Sequence, residues 1–147
     1  MVQRVSEARV RIGDRIVAEI GRGLLVLLAV ARDDGPSDVA YTVAKICDIR
    51  VFEGEDGRHM DRSVRDVGGA VLVVSQFTLY GDIRKGRRPA FDAAAPPAEA
   101  RALYESVVRE LRAAQLPVAT GEFQAMMHVE LVNDGPVTIL IDSKRLF

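Results

Sequence analysis

Two polar segments of the sequence follow directly on apolar runs and have residue types suited to chemistry. The first is Ser75-Gln76-Phe77-Thr78, which ends the apolar run that starts at Ala70. Successive main-chain N–H groups there, with the Ser75 and Thr78 hydroxyls, could bind a developing oxyanion, and one such donor typically contributes about 3 kcal/mol to lowering a barrier. The open alternative is that these polar groups only satisfy hydrogen bonds at the end of a strand.

The second segment is Asn133-Asp134-Gly135-Pro136-Val137-Thr138. Pro136 has no N–H and a fixed φ, whereas Gly135 adopts backbone angles closed to other residues. Such a pair can hold carbonyl oxygens in a fixed place, and the sequence leaves the isomer of the Gly135-Pro136 bond open. An ordinary hairpin turn is the alternative interpretation.

Other hydrolytic machinery is missing from the sequence. His59 and His128 have no spacing that recruits zinc with a cysteine or with another histidine, so both are expected to be structural. No Gly-x-Ser-x-Gly elbow or Walker-type loop occurs, and Cys47 lies at an apolar position of a helical pattern, which favours a packed core thiol. We expect no metal and no cofactor.

The composition is that of an ordinary globular protein, with 48% hydrophobic and 28% charged residues among 147 and a formal net charge of −1. Nucleic-acid contact must therefore be local, and the one basic cluster comprises Arg84, Lys85, Arg87 and Arg88, for which a solvated loop is the alternative. No apolar stretch approaches the length of a membrane span and no secretory signal opens the chain. We expect a cytoplasmic protein with no membrane or DNA partner.

Periodicity predicts the elements that must position these segments. Strands are predicted at 2–12, 16–20, 23–31, 50–52 and 70–77, with two more at 126–132 and 137–141 around a turn at 133–136. Helices are predicted at 38–48, with Ser37 as N-cap, and from Pro96-Pro97 to near Gln115. This order indicates a single α/β domain over 1–147 with antiparallel and mixed pairing.

The motifs together resemble the D-aminoacyl-tRNA deacylase family almost from end to end. The similar segments are Gln3-Arg4-Val5, Gly23 to Leu28, Val71 to Leu79 and Leu131 to Thr138. The resemblance implies an open barrel-like core flanked by two main helices. It also implies a homodimer with active sites at the subunit interface, where residues 75–78 of one chain face Gly135-Pro136 of the other.

The resemblance further implies an activity, namely hydrolysis of the ester that joins a D-amino acid to tRNA. In the mechanism we expect, the Gln76 and Phe77 N–H groups stabilise the oxyanion, and the 2′-hydroxyl of the RNA assists. Thr78 as a nucleophile is the competing version, for which the sequence shows no activating base. L-aminoacyl esters would be excluded sterically by the Gly135-Pro136 carbonyls.

Supporting roles follow from the same resemblance. Arg4 would steady the Gly135-Pro136 segment, and Met127 would line the substrate pocket, where Asn133 and Thr138 would also lie. The basic cluster would bind the phosphates of the acceptor stem. One departure is Met126, which stands where family members often have aspartate.

Two other functions stay open. One is a non-catalytic tRNA-binding or editing-accessory module of the same fold, similar to the proofreading domain of some archaeal threonyl-tRNA synthetases. The other is a hydrolase of small D-amino esters, for which the basic cluster would be incidental. Whether mischarged glycyl-tRNA is also cleaved is open as well.

Overall fold

The computed structural model describes residues 1–147. The chain order is β1 (Val2–Ile12), β2 (Arg15–Ile20), β3 (Gly23–Leu28), α1 (Pro36–Asp48), β4 (Ala70–Ser75), a 3₁₀ helix (Phe77–Tyr80), α2 (Pro97–Ala113), β5 (Val118–Thr120) and β6 (His128–Ile139). No helix is long and apolar enough to cross a membrane.

All six strands form one mixed sheet with the path β2-β1-β3-β4-β5, and β6 pairs with β1. The pairs that involve β1 are antiparallel, whereas β3, β4 and β5 run parallel. Because β2 also contacts β5, the sheet curls into a nearly closed barrel. The predicted fold class is confirmed.

Two apolar clusters hold the fold together. One fills the barrel between the strands and includes Val5, Val10, Leu25 and Leu72. The other lies between the sheet and the two helices, where the buried faces of α1 and α2 cover the outer side of β3 and β4. The alternation of β1 places its side chains in both clusters, as expected for a strand that is covered on two faces. Cys47 is buried in the second cluster, as predicted.

Strands β3 and β4 begin in unusually close contact. A Cβ atom at Gly23 would lie 1.9 Å from the Ala70 carbonyl oxygen, so only glycine fits there. From that point the parallel register runs from Gly23–Ala70 to Leu28–Ser75. The close approach therefore fixes which residue of β3 stands beside Ser75.

Some predicted boundaries were wrong. Helix α1 begins at Pro36 with Gly35 as N-cap, not after Ser37, because proline is accepted in the first turn and the Asp38 carboxylate accepts the Gly35 N–H at 2.9 Å. The predicted strand at 50–52 is only an isolated bridge between Phe52 and Arg62.

The largest correction concerns the end of the chain. The two predicted strands are one strand, β6, that pairs with β1 from Ile139 back to His128, so residues 133–136 are not a hairpin turn. Thr138 pairs with Gln3 and Asn133 pairs with Val5, so residues 134–137 bulge out opposite Arg4. We call residues 134–137 the β6 bulge.

Candidate active site

The first motif lies where β4 ends. Ser75 is the last residue of β4, and the chain then turns into the 3₁₀ helix Phe77–Tyr80, which lies at the surface. The first N–H groups of a helix have no partner within it. Accordingly, no acceptor in the chain receives the N–H of Phe77 or Thr78, and both residues are exposed. Two adjacent main-chain donors therefore face solvent.

The Gln76 N–H is placed differently from the prediction. It donates to the Leu28 carbonyl at 2.8 Å, which continues the ladder between β3 and β4 by one residue. An N–H engaged in this way is not free to bind an oxyanion. Of the predicted donors, Gln76 thus has a partner within the chain and Phe77 has none, and Thr78 offers a second N–H without one. The role of these groups in binding an oxyanion stays a prediction.

The Gln76 side chain has a separate contact. Its Nε2 donates to the Thr78 hydroxyl oxygen at 2.7 Å. Because that oxygen accepts from an amide, its own proton points elsewhere and can be donated to a bound molecule. An amide is no general base, so the structure offers Thr78 no partner that would make its hydroxyl a nucleophile. Phe77 packs edge-on against Phe91, with ring centroids 5.0 Å apart.

An apolar cavity of about 260 Å³ lies beside this 3₁₀ helix. Leu28, Leu79 and Tyr80 form part of its wall, and the C-terminal segment 140–147 closes another side. The cavity therefore borders the end of β3 and the second half of the 3₁₀ helix, whose first two residues carry the free donors.

The second motif is the β6 bulge. Its Gly135-Pro136 bond is cis, and Gly135 has φ +144°, where a Cβ would lie 2.8 Å from Val137 Cγ2. Asn133 closes the bulge from both sides, since its Oδ1 accepts the Val137 N–H at 2.7 Å and its Nδ2 donates to Thr138 Oγ1 at 3.1 Å. Gly135 and Pro136 are both exposed.

Arg4 binds the β6 bulge through a hydrogen bond from its guanidinium group. Its Nε donates to the Asp134 carbonyl at 2.7 Å, and its Nη1 donates to the Val51 carbonyl at 2.5 Å. The side chain is only 16% exposed and lies 3.8 Å from the Asp134 carboxylate. The fork of the guanidinium thus ties the bulge to the loop that follows α1, a geometry that lysine cannot reproduce.

The two motifs do not meet within one chain. Ser75 stands beside Leu28, whereas the bulge lies opposite Arg4, which pairs with Leu24. Four residues along the strands and three strand spacings therefore separate the motifs, on the order of 15 to 20 Å.

The methionines differ in environment. Met126 is 85% exposed, so this residue lies on the surface. Met127 packs against the cluster inside the barrel, and its Sδ lies 2.7 Å from where a Cβ of Gly121 would be. Its predicted place in a substrate pocket stays a prediction.

The basic cluster forms a loop of residues 84–88 that a two-residue bridge closes. Asp82 and Ala90 exchange both main-chain hydrogen bonds, at 2.8 and 2.9 Å. Arg84 is bound to the Asp82 carboxylate at 2.6 Å, and this hydrogen bond lowers the pKa of Asp82 to about 2. Lys85, Arg87 and Arg88 have no carboxylate partner. We call residues 84–88 the basic loop; three of its four cations are available to an anion.

Sequence reasoning missed two supporting groups. The Leu28 carbonyl fixes Gln76, and the Tyr104 hydroxyl donates to the Val73 carbonyl at 3.0 Å. Burial raises the pKa of Tyr104 to about 12. A tyrosine in the apolar stripe of α2 is a signal for such a bond, since a buried hydroxyl needs a partner. Nothing in the sequence marks a particular leucine carbonyl.

The histidines lie apart from both motifs. His59 and His128 are exposed, and His59 faces Glu53 at 3.6 Å. No group of three or more His, Cys, Asp or Glu residues is arranged to hold a metal ion.

Comparison with known proteins relates this arrangement to one family. Residues 1–142 match the family model described as D-Tyr-tRNA(Tyr) deacylase. A D-aminoacyl-tRNA deacylase of Koribacter versatilis is 61% identical over 147 residues, which cover all of this chain and 98% of the relative. One of Symbiobacterium thermophilum is 57% identical over all of this chain and 97% of the relative.

Two solved structures have a similar fold. The c-Myc DNA Unwinding Element Binding Protein matches with a TM-score of 0.89 and 42% identity over 94% of this chain and 93% of that one. A probable eukaryotic D-amino acid tRNA deacylase matches with a TM-score of 0.78 over 92% of this chain and 93% of that one. At 20% identity the latter likeness concerns the fold alone.

Proposed function

The chain belongs to the D-Tyr-tRNA(Tyr) deacylase family, and from this premise we propose that it is a D-aminoacyl-tRNA deacylase. It hydrolyses the ester that joins a D-amino acid to the terminal ribose of tRNA. Water adds to the ester carbonyl, the bond to the ribose oxygen breaks, and that oxygen takes up a proton. The observation that carries the proposal is the pair of free main-chain donors at Phe77 and Thr78, in a chain similar over its full length to such deacylases.

The two donors bind the oxyanion in this proposal. Because they start a short helix, both N–H groups point to the same side of the turn and carry the partial positive charge of its N-terminus. They are held before substrate arrives, since Leu28 fixes Gln76. Preorganised donors of this kind are typically the largest single contribution to such catalysis.

Proton transfer then falls to the substrate. The motif contains no carboxylate, histidine or amine, and the Thr78 hydroxyl accepts a hydrogen bond from an amide. The vicinal 2′-hydroxyl of the terminal ribose is the nearest group that can relay a proton between water and the leaving oxygen. The Gln76 side chain orients the Thr78 hydroxyl, and that hydroxyl positions the substrate by donating a hydrogen bond to it.

The complete site requires a second copy of the chain in this proposal. The β6 bulge lies too far from Ser75 to reach a substrate bound at Phe77 of the same chain. Exposed apolar side chains surround the donors, namely Phe77 at 55%, Leu79 at 43% and Ile83 at 67%, as expected of a surface that another chain covers. The partner's bulge would then close the pocket and exclude an L side chain with its carbonyls.

The substrate is a cytoplasmic RNA, so the cytoplasm is the proposed location. The basic loop follows the 3₁₀ helix within a few residues, and its three available cations can bind the phosphates of the acceptor stem. A free ester without RNA would use none of them. These features favour a tRNA substrate over small D-amino esters.

The test is to follow amino-acid release from D-tyrosyl-tRNA and L-tyrosyl-tRNA at equal concentrations, with glycyl-tRNA as a third substrate. We expect rapid loss of the D ester and sparing of the L ester. Turnover of neither, with retained tRNA binding, would support the accessory-module function instead.

Two variants connect the activity to the donors. Phe77→Pro removes one donor but fits the first position of a helix, and Phe77→Ala removes the ring but keeps the N–H. We expect the proline variant to lose at least about 100-fold in kcat and the alanine variant to lose much less. Equal losses would show that the ring and not the N–H matters.

A further inference from the structure

A groove of about 370 Å³ lies between α2 and the chain that follows β5, and no residue of either motif lines it. Its floor is the end of β5 with Thr120, Gly121 and Phe123, and its wall is the exposed side of α2. Three arginines border it: Arg101, Arg109 and Arg112.

The arginines are not equally available. Arg101 lies over the Phe123 ring at 5.1 Å and faces the Glu105 carboxylate at 3.9 Å, so it already has partners. Arg109 contacts only the Ser106 hydroxyl, at 3.1 Å, and Arg112 contacts only the Val118 carbonyl, at 3.3 Å. The last two guanidinium groups therefore have no carboxylate partner, and both are exposed.

One end of the groove lies near the proposed active site. Thr120 pairs with Val73, which is two residues before Ser75, and the Tyr104 hydroxyl binds the Val73 carbonyl. One end of the groove is thus within about 10 Å of the catalytic segment. From Arg101 to Arg112 the helix rises about 16 Å, so the groove leads away from the site over the length of several nucleotides.

We propose that Arg109 and Arg112 form a second phosphate-binding surface that guides the RNA strand of the substrate away from the active site. This inference rests on the proposed function and names a part of the substrate beyond the esterified nucleotide. The occupant is a polyanionic RNA backbone, because guanidinium groups in an open groove bind phosphate without reading sequence. Arg101 and Phe123 shape the end of the groove near the site.

The experiment compares two substrates. One is full-length D-tyrosyl-tRNA, and the other is the D-tyrosyl ester of adenosine, which lacks the stem phosphates. The variants are Arg109→Gln with Arg112→Gln and the same pair replaced by lysine. Lys45→Gln is the matched control, since Lys45 is an exposed cation of α1 without a carboxylate partner.

We expect the double glutamine variant to lower kcat/KM for tRNA about tenfold and to leave the adenosine ester unchanged. Each phosphate contact makes binding about threefold weaker when salt rises from about 50 to about 200 mM, so two contacts together make it about tenfold weaker. Over this salt range the affinity of the double glutamine variant should therefore fall about tenfold less than that of the unchanged protein. The double lysine variant should recover most of both losses, because a phosphate accepts a point charge. Lys45→Gln should behave as the unchanged protein does.

Two results would overturn the inference. One is a double glutamine variant with unchanged affinity and salt dependence for tRNA, as expected if the groove binds an anionic protein or nothing. The other is an equal loss on the adenosine ester, which would mean a structural role. Binding of tRNA without an amino acid is measured in parallel. If the protein has no deacylase activity, the proposed function is refuted, and the effect of the double glutamine variant on tRNA affinity still tests the groove.

Discussion

Removal of the Arg4 guanidinium should weaken both the fold and the discrimination between D and L substrates. The side chain is 16% exposed and makes two main-chain hydrogen bonds, at 2.7 Å to Asp134 and 2.5 Å to Val51. Hydrogen bonds from a charged donor contribute about 1.5 to 3 kcal/mol each, and the bond to Asp134 lies toward the low end because it is exposed. Arg4→Ala should therefore cost about 3 kcal/mol.

The assay is urea denaturation at one fixed protein concentration, since dissociation of the proposed dimer would otherwise change the apparent stability. In a thermal melt at the same concentration, a loss of that size should lower Tm by about 10 °C in a chain of this length. Arg11→Ala is the control on the same strand. Arg11 is bound to Glu130 at 2.5 Å, but both side chains are more than a third exposed, so its loss should cost less than about 1 kcal/mol.

The same variants are then compared on the D and L esters of tyrosyl-tRNA. With Arg4 removed, the β6 bulge loses its tie to the loop after α1, and the ratio of D to L cleavage should fall at a temperature where the variant is folded. The reasoning is refuted if Arg4→Ala is no less stable than Arg11→Ala. It is also refuted if stability falls while the ratio stays that of the unchanged protein.

Three further outcomes are expected. Thr78→Val should lower kcat about tenfold without abolishing it, because the hydroxyl donates a hydrogen bond and is no nucleophile; complete loss in a folded variant would contradict this. Within the basic loop, Arg84→Gln should change the salt dependence of kcat/KM less than glutamine at any of the other three cations, since Asp82 already neutralises Arg84. Tyr104 should stay protonated to about pH 12 in the folded chain, so its contribution to stability is complete below pH 10 and is lost as the pH rises toward 12. Spectrophotometric titration of Tyr104→Phe beside the unchanged protein measures it.

The elements with a strong apolar pattern were predictable. The alternation of β1 predicts a strand, and the apolar runs of β3 and β4 predict strands that are buried on both faces. The structure confirms all three. Strand β5 has only three residues and forms by pairing with Val71–Val73, so no local sequence pattern predicts it. Its prediction would have required knowledge of the sheet.

The errors at the candidate site have the same origin. Asn133-Asp134-Gly135-Pro136 has the composition of a turn, and only the pairing of both flanks with β1 makes it a bulge within one strand. The Gln76 N–H is occupied because the β3–β4 register sets Leu28 beside Ser75. Both facts depend on partners that are distant in the sequence.

A complementation experiment tests the central claim that each active site combines the donors of one chain with the bulge of another. Phe77→Pro removes a donor, and Gly135→Ala places a Cβ 2.8 Å from Val137 Cγ2 at a residue with φ +144°. Phe77→Pro alone should lose at least about 100-fold in kcat on D-tyrosyl-tRNA. Gly135→Ala alone should also be strongly impaired, because a displaced bulge no longer closes the pocket. The two chains are co-expressed with different affinity tags, and the mixed dimer is purified through both.

The mixed dimer has one site with both defects and one with neither. Its activity on D-tyrosyl-tRNA should therefore be about half that of the unchanged dimer, because a two-fold dimer has two equivalent sites. A mixed dimer as inactive as its parents would contradict the account, since the two motifs would then act within the same chain.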